Sequence, residues 1–101
     1  MNKYRNVSNK LTYDFHEIVI NDYFCITDAI VKRYKLKKSS QLVHGLDEIF
    51  QNFKTGEKVI GLEWDIWSGY TIVAQNAESE DLVKNIANFV ATILEKKVNN
   101  A

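Results

Sequence analysis

Proline is absent from the 101 residues, and cysteine occurs only once, as Cys25. Without proline the chain has neither a polyproline II ligand nor a stiff linker. A single cysteine excludes an internal disulfide and a zinc site built from cysteines, and it fits a reducing compartment. Long apolar runs are missing too, both of membrane-span length, about eighteen residues, and of signal-peptide length in the N-terminal segment. We expect a soluble cytoplasmic protein without a membrane partner.

Net charge is also absent, because thirteen basic residues balance thirteen acidic ones. The chain therefore lacks the overall basicity that drives nonspecific binding to nucleic acids, and we expect no direct nucleic-acid partner. The charges are unevenly placed. Residues 1–38 hold eight Lys and Arg against four acidic residues, residues 39–83 hold two against eight, and residues 84–101 hold three against one. An acidic middle segment thus lies between basic ends.

The apolar content is sufficient for one core. Hydrophobic residues make up 46% of the chain, and a chain of this length forms one domain, which we expect to span residues 1–101. Residues 1–10 are polar and aperiodic, which predicts a loosely held arm. Apolar residues alternate from Leu11 onwards and predict a first strand over residues 11–19.

A first helix is expected over about residues 22–35. Asn21 or Asp22 can cap it, and apolar residues recur at helical spacing from position 23. Basic residues crowd positions 32–38, where the helix macrodipole favours cations. We prefer this interpretation to phosphate binding, because only Tyr34 offers a stacking platform there.

The clearest pattern is the alternation in VIGLEWDIWSGYTIVAQ, residues 59–75. Positions 60, 62, 64 and 66 are apolar and share one face of a strand, whereas Glu63 and Asp65 lie on the other. Ser68 and Gly69 supply a turn, so the segment predicts a β-hairpin. Residues 46–53 alternate less regularly; a strand is preferred there, and a helix is the alternative.

A second helix is expected after the hairpin. Asn76 and Ser79 are candidate N-caps, acidic residues follow them, and basic residues stand at positions 96 and 97. The apolar stripe from Leu82 to Leu94 is broad enough to need a sheet beneath it. The order of elements, β-α-β-β-β-α, predicts an α+β fold in which two helices cover one face of an antiparallel sheet.

The opposite face of that sheet is expected to be open and acidic. It carries Glu63 and Asp65, whose carboxyls lie roughly 7 Å apart by the two-residue rise of a strand. Paired carboxylates can perform acid and base catalysis, but a solvent-exposed face is the interpretation that we favour. Trp64 shares parity with the apolar positions and is predicted to lie in the core. For Trp67 and Tyr70, which flank the turn, both a covering role and an interface role remain open.

Residues suited to catalysis are few. His16 and His44 are the only histidines, and the pair of His44 and Asp47 has too few ligands to select a metal. Cys25 is expected to be a buried small hydrophobe rather than a nucleophile. A glycine-rich phosphate loop, a Walker lysine and a nucleophile elbow are all missing. We predict no enzymatic activity, no metal site and no cofactor.

Three segments carry a resemblance to a known class of proteins: HGLDEIFQNF (residues 44–53), GLEWDIWSGYTIVAQ (residues 61–75) and LVKNIANFV (residues 82–90). Together they resemble the immunity proteins of contact-dependent growth inhibition systems, which are encoded beside bacterial polymorphic toxins. The resemblance covers roughly the C-terminal 60 residues. It implies a cytoplasmic protein without catalytic activity that binds one cognate toxin domain, often a nuclease, and blocks its active site or substrate surface.

The distribution of charge agrees with that class of partner. Nuclease toxins are basic near the active site, so an acidic patch on an inhibitor raises the association rate and fixes the register. The predicted partner-binding residues are Asp47, Glu48, Glu57, Glu63 and Asp65, with Trp67 and Tyr70 as anchors. Two other hypotheses remain: a small dimeric chaperone or adaptor for a secreted effector, and a nucleic-acid module or minor enzyme that uses the basic residues 32–38.

Overall fold

The structure, a computed structural model, describes the backbone of residues 1–99 and the side chains of residues 1–96. Its elements are β1 (Asn2–Arg5), β2 (Leu11–Phe15), α1 (Tyr23–Tyr34), β3 (Lys37–Lys38), β4 (Val43–His44), β5 (Glu48–Thr55), β6 (Lys58–Asp65), β7 (Gly69–Ala74) and α2 (Glu80–Asn99). One turn of 3-10 helix precedes each α-helix. The fold is α+β, as predicted from the sequence.

The strands form one antiparallel sheet in the order β1-β2-β7-β6-β5, and the short strands β3 and β4 both pair with β5. The predicted hairpin lies at its centre, where β6 and β7 pair from Ile60 opposite Ala74 to Asp65 opposite Gly69. β6 ends at Asp65, one residue earlier than the alternation of its apolar residues predicted. Ile66 was predicted to face the core, but it lies in the turn and is exposed.

The N-terminal residues differ from the prediction, since residues 2–5 form an edge strand rather than a loose arm. β1 pairs with β2, and the Asn6 side chain holds the connecting turn. Its Oδ1 accepts 3.0 Å hydrogen bonds from the backbone N–H groups of Ser8 and Lys10. All four residues of β1 are exposed. A strand of this kind has no buried side and therefore shows no apolar alternation.

Two further segments resolve the alternatives left by the sequence. Residues 48–55 are a strand, so the helical alternative for this segment is wrong. Phe53 is buried and Phe50 is exposed, because side chains of opposite parity face opposite sides of a sheet. β2 ends at Phe15 rather than at residue 19, where the backbone turns back and the Ile18 N–H donates to the Phe15 carbonyl.

Both helices pack on one face of the sheet, as predicted. Apart from Thr12, which lies on the opposite face, the largest fully buried side chains come from that face or from the helices that cover it, and they include Phe15, Tyr23, Ile49, Ile60, Leu62, Tyr70, Ile72, Ile86 and Val90. The Tyr23 hydroxyl donates to the Leu62 carbonyl at 2.6 Å and ties α1 to β6. Trp64 packs against this core, and its Nε1 donates to the Ile18 carbonyl at 2.8 Å. Trp64 therefore lies on the predicted side of the sheet, but it is half-buried at the edge of the core rather than within it.

Cys25 does not have the buried position that the sequence suggested. It is exposed, because the buried positions of α1 are 23, 26, 27 and 30 and residue 25 lies off that stripe. Among the described residues, neither helix contains a stretch that is long and apolar enough to cross a bilayer.

Candidate functional site

The face of the sheet away from the helices, named the open face, carries a continuous row of cross-strand neighbours. In order across the sheet, the row consists of Asn2, Asp14, Thr71, Glu63, Phe50 and Val43. Directly opposed residues have Cβ atoms about 4.5–5.5 Å apart. The row therefore places a carboxylate on each side of Thr71 and an apolar pair at its far end.

Three carboxylates on β5 and β6 form the acidic cluster, which is defined as Glu48, Glu63 and Asp65. Glu48 lies directly opposite Asp65 in the register of the two strands, and Glu63 shares its strand face with Asp65. Like charges directly opposite one another in a sheet are destabilising. The sequence predicted Glu63 and Asp65 on one face, and the structure adds Glu48 beside them.

Among residues 1–96, no cation forms an ion pair with the acidic cluster. Among residues 1–96 the only ion pair joins Arg5 to Glu80, on the helix-covered side of the sheet. Burial raises the pKa of the Glu63 carboxyl above its ordinary value of 4.5, and the charges of Asp65 and Glu48 raise it further, whereas Lys10 opposes them. Glu63 is thus partly buried and lies close to other negative charges. A cation supplied by a partner would stabilise its ionised carboxylate.

Gly61 sets the position of Glu63. A Cβ atom added at Gly61 would lie 2.8 Å from Oε2 of Glu63 and 2.7 Å from Nε2 of Gln75. The absence of a side chain therefore leaves the space over β6 that these polar groups occupy. Gln75 accepts a 2.6 Å hydrogen bond from Nζ of Lys10 and donates to Oδ1 of Asn52. This polar network borders the acidic cluster.

Apolar groups project beside the cluster at one end of the sheet. Trp67, in the turn between β6 and β7, is 80% exposed, and Leu46, in the loop before β5, is 98% exposed. Together with Gly45, Asp47 and Glu48 they line a cleft of about 360 Å³; these five residues are named the tip. Trp67, whose role the sequence left open, is therefore available to a partner, and Leu46 is a residue that sequence reasoning missed.

Asp65 has a structural role in addition to its charge. Its Oδ1 accepts hydrogen bonds from the backbone N–H groups of Trp67 at 2.9 Å and Ser68 at 2.7 Å. This arrangement closes the turn on which Trp67 stands. Substitutions at Asp65 would change both the charge of the open face and the shape of the turn.

Two predicted partner-binding residues are not part of this surface. Tyr70 is fully buried, and its hydroxyl lies 2.7 Å from Oγ1 of Thr27 in the core. The register places Tyr70 opposite Trp64, on the helix-covered face. Glu57 is exposed in the turn between β5 and β6, at the other end of β5 from Glu48, roughly 26 Å of strand away.

Two other candidate sites were a metal site and the basic residues 32–38. Among the described residues, no group of three His, Cys, Asp or Glu side chains lies close enough together to hold a metal ion. Of the basic residues 32–38, Lys37 and Lys38 form β3 at the end of β5 opposite the acidic cluster, where Lys37 pairs with Lys54. The open face thus runs from an acidic end at Glu48 to a basic end at Lys54.

No protein-family model, curated protein or solved structure matches this chain.

The charge at Glu63 has a testable effect on stability. Its pKa is higher in the folded chain than the ordinary value of 4.5. Ionisation of Glu63 therefore costs more free energy in the folded state than in the unfolded state. We expect Glu63→Gln and the wild type to be equally stable well below pH 4.5. As the pH rises through 4.5 and then through the folded pKa, the wild type should lose stability relative to the variant. Urea unfolding across this pH range measures the difference.

The matched control is Glu57→Gln, at an exposed carboxyl distant from the cluster. A surface change of this kind alters stability by about 0.5 kcal/mol or less. If Glu63→Gln is less stable than the wild type at neutral pH, Glu63 is not the strained carboxylate described above.

Proposed function

We propose that this chain is an immunity protein, which binds a cognate toxin domain in the cytoplasm and neutralises it by covering the active site or substrate surface. The toxin is a basic domain, with a nuclease as the expected activity. The resemblance of residues 44–53, 61–75 and 82–90 to such immunity proteins supplies the class. The surface of the chain supplies the physical support.

The observation that carries the proposal is the acidic cluster beside the tip. Glu48, Glu63 and Asp65 have no ion-pair partner among residues 1–96, although opposed carboxylates cost stability. Exposed Trp67 and Leu46 adjoin them. Tryptophan is enriched among the few residues that dominate binding energy, and complementary charge speeds association. The combination suits a basic protein surface with an apolar pocket.

The edges of the sheet disfavour the alternative of a dimer formed by strand pairing. β1, at one edge, carries Lys3 and Arg5, and β3, at the other, consists of Lys37 and Lys38. Lysine-rich and short edge strands are the features that block pairing between sheets. The exposed residues of the tip, next to the acidic cluster, are the surface that we assign to a partner.

The test is co-expression with the product of the gene that lies directly upstream, which the proposal expects to carry the toxin domain. We expect a tight one-to-one complex and growth of cells that the toxin alone would kill. The double variant Glu48→Lys/Glu63→Lys should lose protection, whereas Glu95→Lys, at an exposed position on α2, should retain it. Absence of a complex, or survival of cells without this protein, would disprove the proposed function.

A further inference from the structure

The structure contains a buried hydroxyl without a partner at the centre of the open face. Thr71 is only 6% exposed, and among residues 1–96 its Oγ1 is the one buried side-chain nitrogen or oxygen atom that lacks a hydrogen-bond partner. Leaving such a group unsatisfied destabilises a fold. Valine has nearly the same shape and would fill the position without that cost. Packing alone therefore does not explain the hydroxyl, which is available to bind a ligand.

Carboxylates flank this hydroxyl on both sides. Thr71 lies opposite Asp14 in β2 and opposite Glu63 in β6. Asp14 accepts a 2.9 Å hydrogen bond from Nδ2 of Asn2, whereas no hydrogen bond to the carboxylate of Glu63 is found among the described side chains, and Asp65 follows it on the same face. Both cross-strand neighbours of Thr71 on this face are therefore carboxylates. Their charge favours a cationic ligand that donates several hydrogen bonds.

We propose that the open face contains a socket for one arginine side chain of the partner, in which Glu63 and Thr71 receive the guanidinium and Asp14 adds negative charge. This inference rests on the proposed function and specifies the chemistry of the partner. The guanidinium donates two parallel N–H bonds to the Glu63 carboxylate and a third to Oγ1 of Thr71. The Oγ1 atom that lacks a hydrogen-bond partner in the free chain thereby gains a donor.

Tyr4 favours arginine over lysine at this site. It lies on the edge strand β1, is 39% exposed, and its hydroxyl adjoins Asp14 and Ser68, so its ring borders the socket. A planar guanidinium stacks on an aromatic ring and binds a carboxylate with two bonds, whereas an ammonium is a compact, strongly hydrated charge. The side chains of Tyr4 and Glu63 must part to admit the guanidinium to Thr71.

The test uses the isolated chain and two probes, the capped peptides Gly-Arg-Gly and Gly-Lys-Gly, in NMR titrations at low ionic strength. We expect the arginine peptide to shift the signals of Thr71 and Glu63 and to bind several-fold more tightly than the lysine peptide. In Thr71→Val the arginine peptide should bind about tenfold more weakly, because a hydrogen bond to a charged group is lost. The lysine peptide should change little.

Thr92→Val is the matched control, since Thr92 is exposed on α2 and its hydroxyl bonds to the Asn88 carbonyl of the same helix. A raised unfolding midpoint for Thr71→Val would show that this variant is folded and that the hydroxyl was unsatisfied. Equal affinity for the two peptides, shifts centred elsewhere, or unchanged arginine binding by Thr71→Val would each overturn the socket. None of these results requires the toxin, so a toxin complex that forms despite them would leave the proposed function standing.

Discussion

Gly69→Ala is expected to destabilise the fold by about 4 kcal/mol, a large fraction of the stability of a typical small domain. Gly69 has φ +71°, a conformation that side chains rarely adopt. A Cβ atom there would overlap the Phe15 carbonyl oxygen and lie 2.6 Å from Cα of His16. Both contacts are with backbone at the C-terminal end of β2, so the overlap is relieved only if β7 moves away from β2. Urea unfolding monitored by Trp fluorescence measures the loss.

Gly56→Ala separates the two causes of this effect. Gly56 also has positive φ, +57°, but an added Cβ would meet no atom within 4 Å. Its substitution should cost only the left-handed conformation, about 1–2 kcal/mol. Equal losses for the two variants would show that the close approach of β7 to the end of β2 contributes nothing to the cost at Gly69.

If the proposed function holds, Trp67→Ala is expected to weaken binding of the toxin domain by roughly 30- to 1,000-fold, the range for a tryptophan that anchors an interface, about 2–4 kcal/mol. The side chain is 80% exposed and lines the cleft with Leu46, so a partner residue can bury it fully. Because the isolated chain barely buries it, its unfolding free energy should change by about 0.5 kcal/mol or less. Calorimetric titration of toxin domain and variant measures the affinity.

The control for this substitution is Phe24→Ala. Phe24 is a second exposed aromatic residue, on α1 at the helix-covered side of the sheet. Its substitution should change toxin affinity by no more than about twofold, as is usual for a residue outside a hot spot. A larger loss for Phe24→Ala than for Trp67→Ala would place the interface on the helices.

The sequence predicted the hairpin and the second helix because each has one strongly amphipathic pattern. Tyr70 shows where such reasoning stops. The length of the turn sets the register of β7 on β6, and a shift of one residue exchanges its two faces. The pattern of Tyr70, Thr71, Ile72 and Val73 suits either face, since all four residues favour strands. Only the pairing of Tyr70 with Trp64 decides that the tyrosine is buried.

The candidate site was predicted in part for a similar reason. Glu63 and Asp65 share a face by alternation alone, whereas Glu48 joins them only through the pairing of β5 with β6. Glu57 is close to Glu63 in sequence, but it lies in the turn where β6 begins, whereas Glu63 lies near the other end of that extended strand. The unpartnered hydroxyl of Thr71 has no sequence signal, since the sequence does not show whether a buried threonine in a strand has a hydrogen-bond partner.

The most direct test of the proposed binding surface is amide hydrogen exchange of this chain, free and in complex with the toxin domain. The interface formed by the open face and the tip should gain protection at residues 45–50 and 63–71, and exchange in the solvent-facing parts of α1 and α2 should stay unchanged. Protection confined to α1 and α2, with Trp67 and the acidic cluster unaffected, would contradict the assignment of this surface to partner binding.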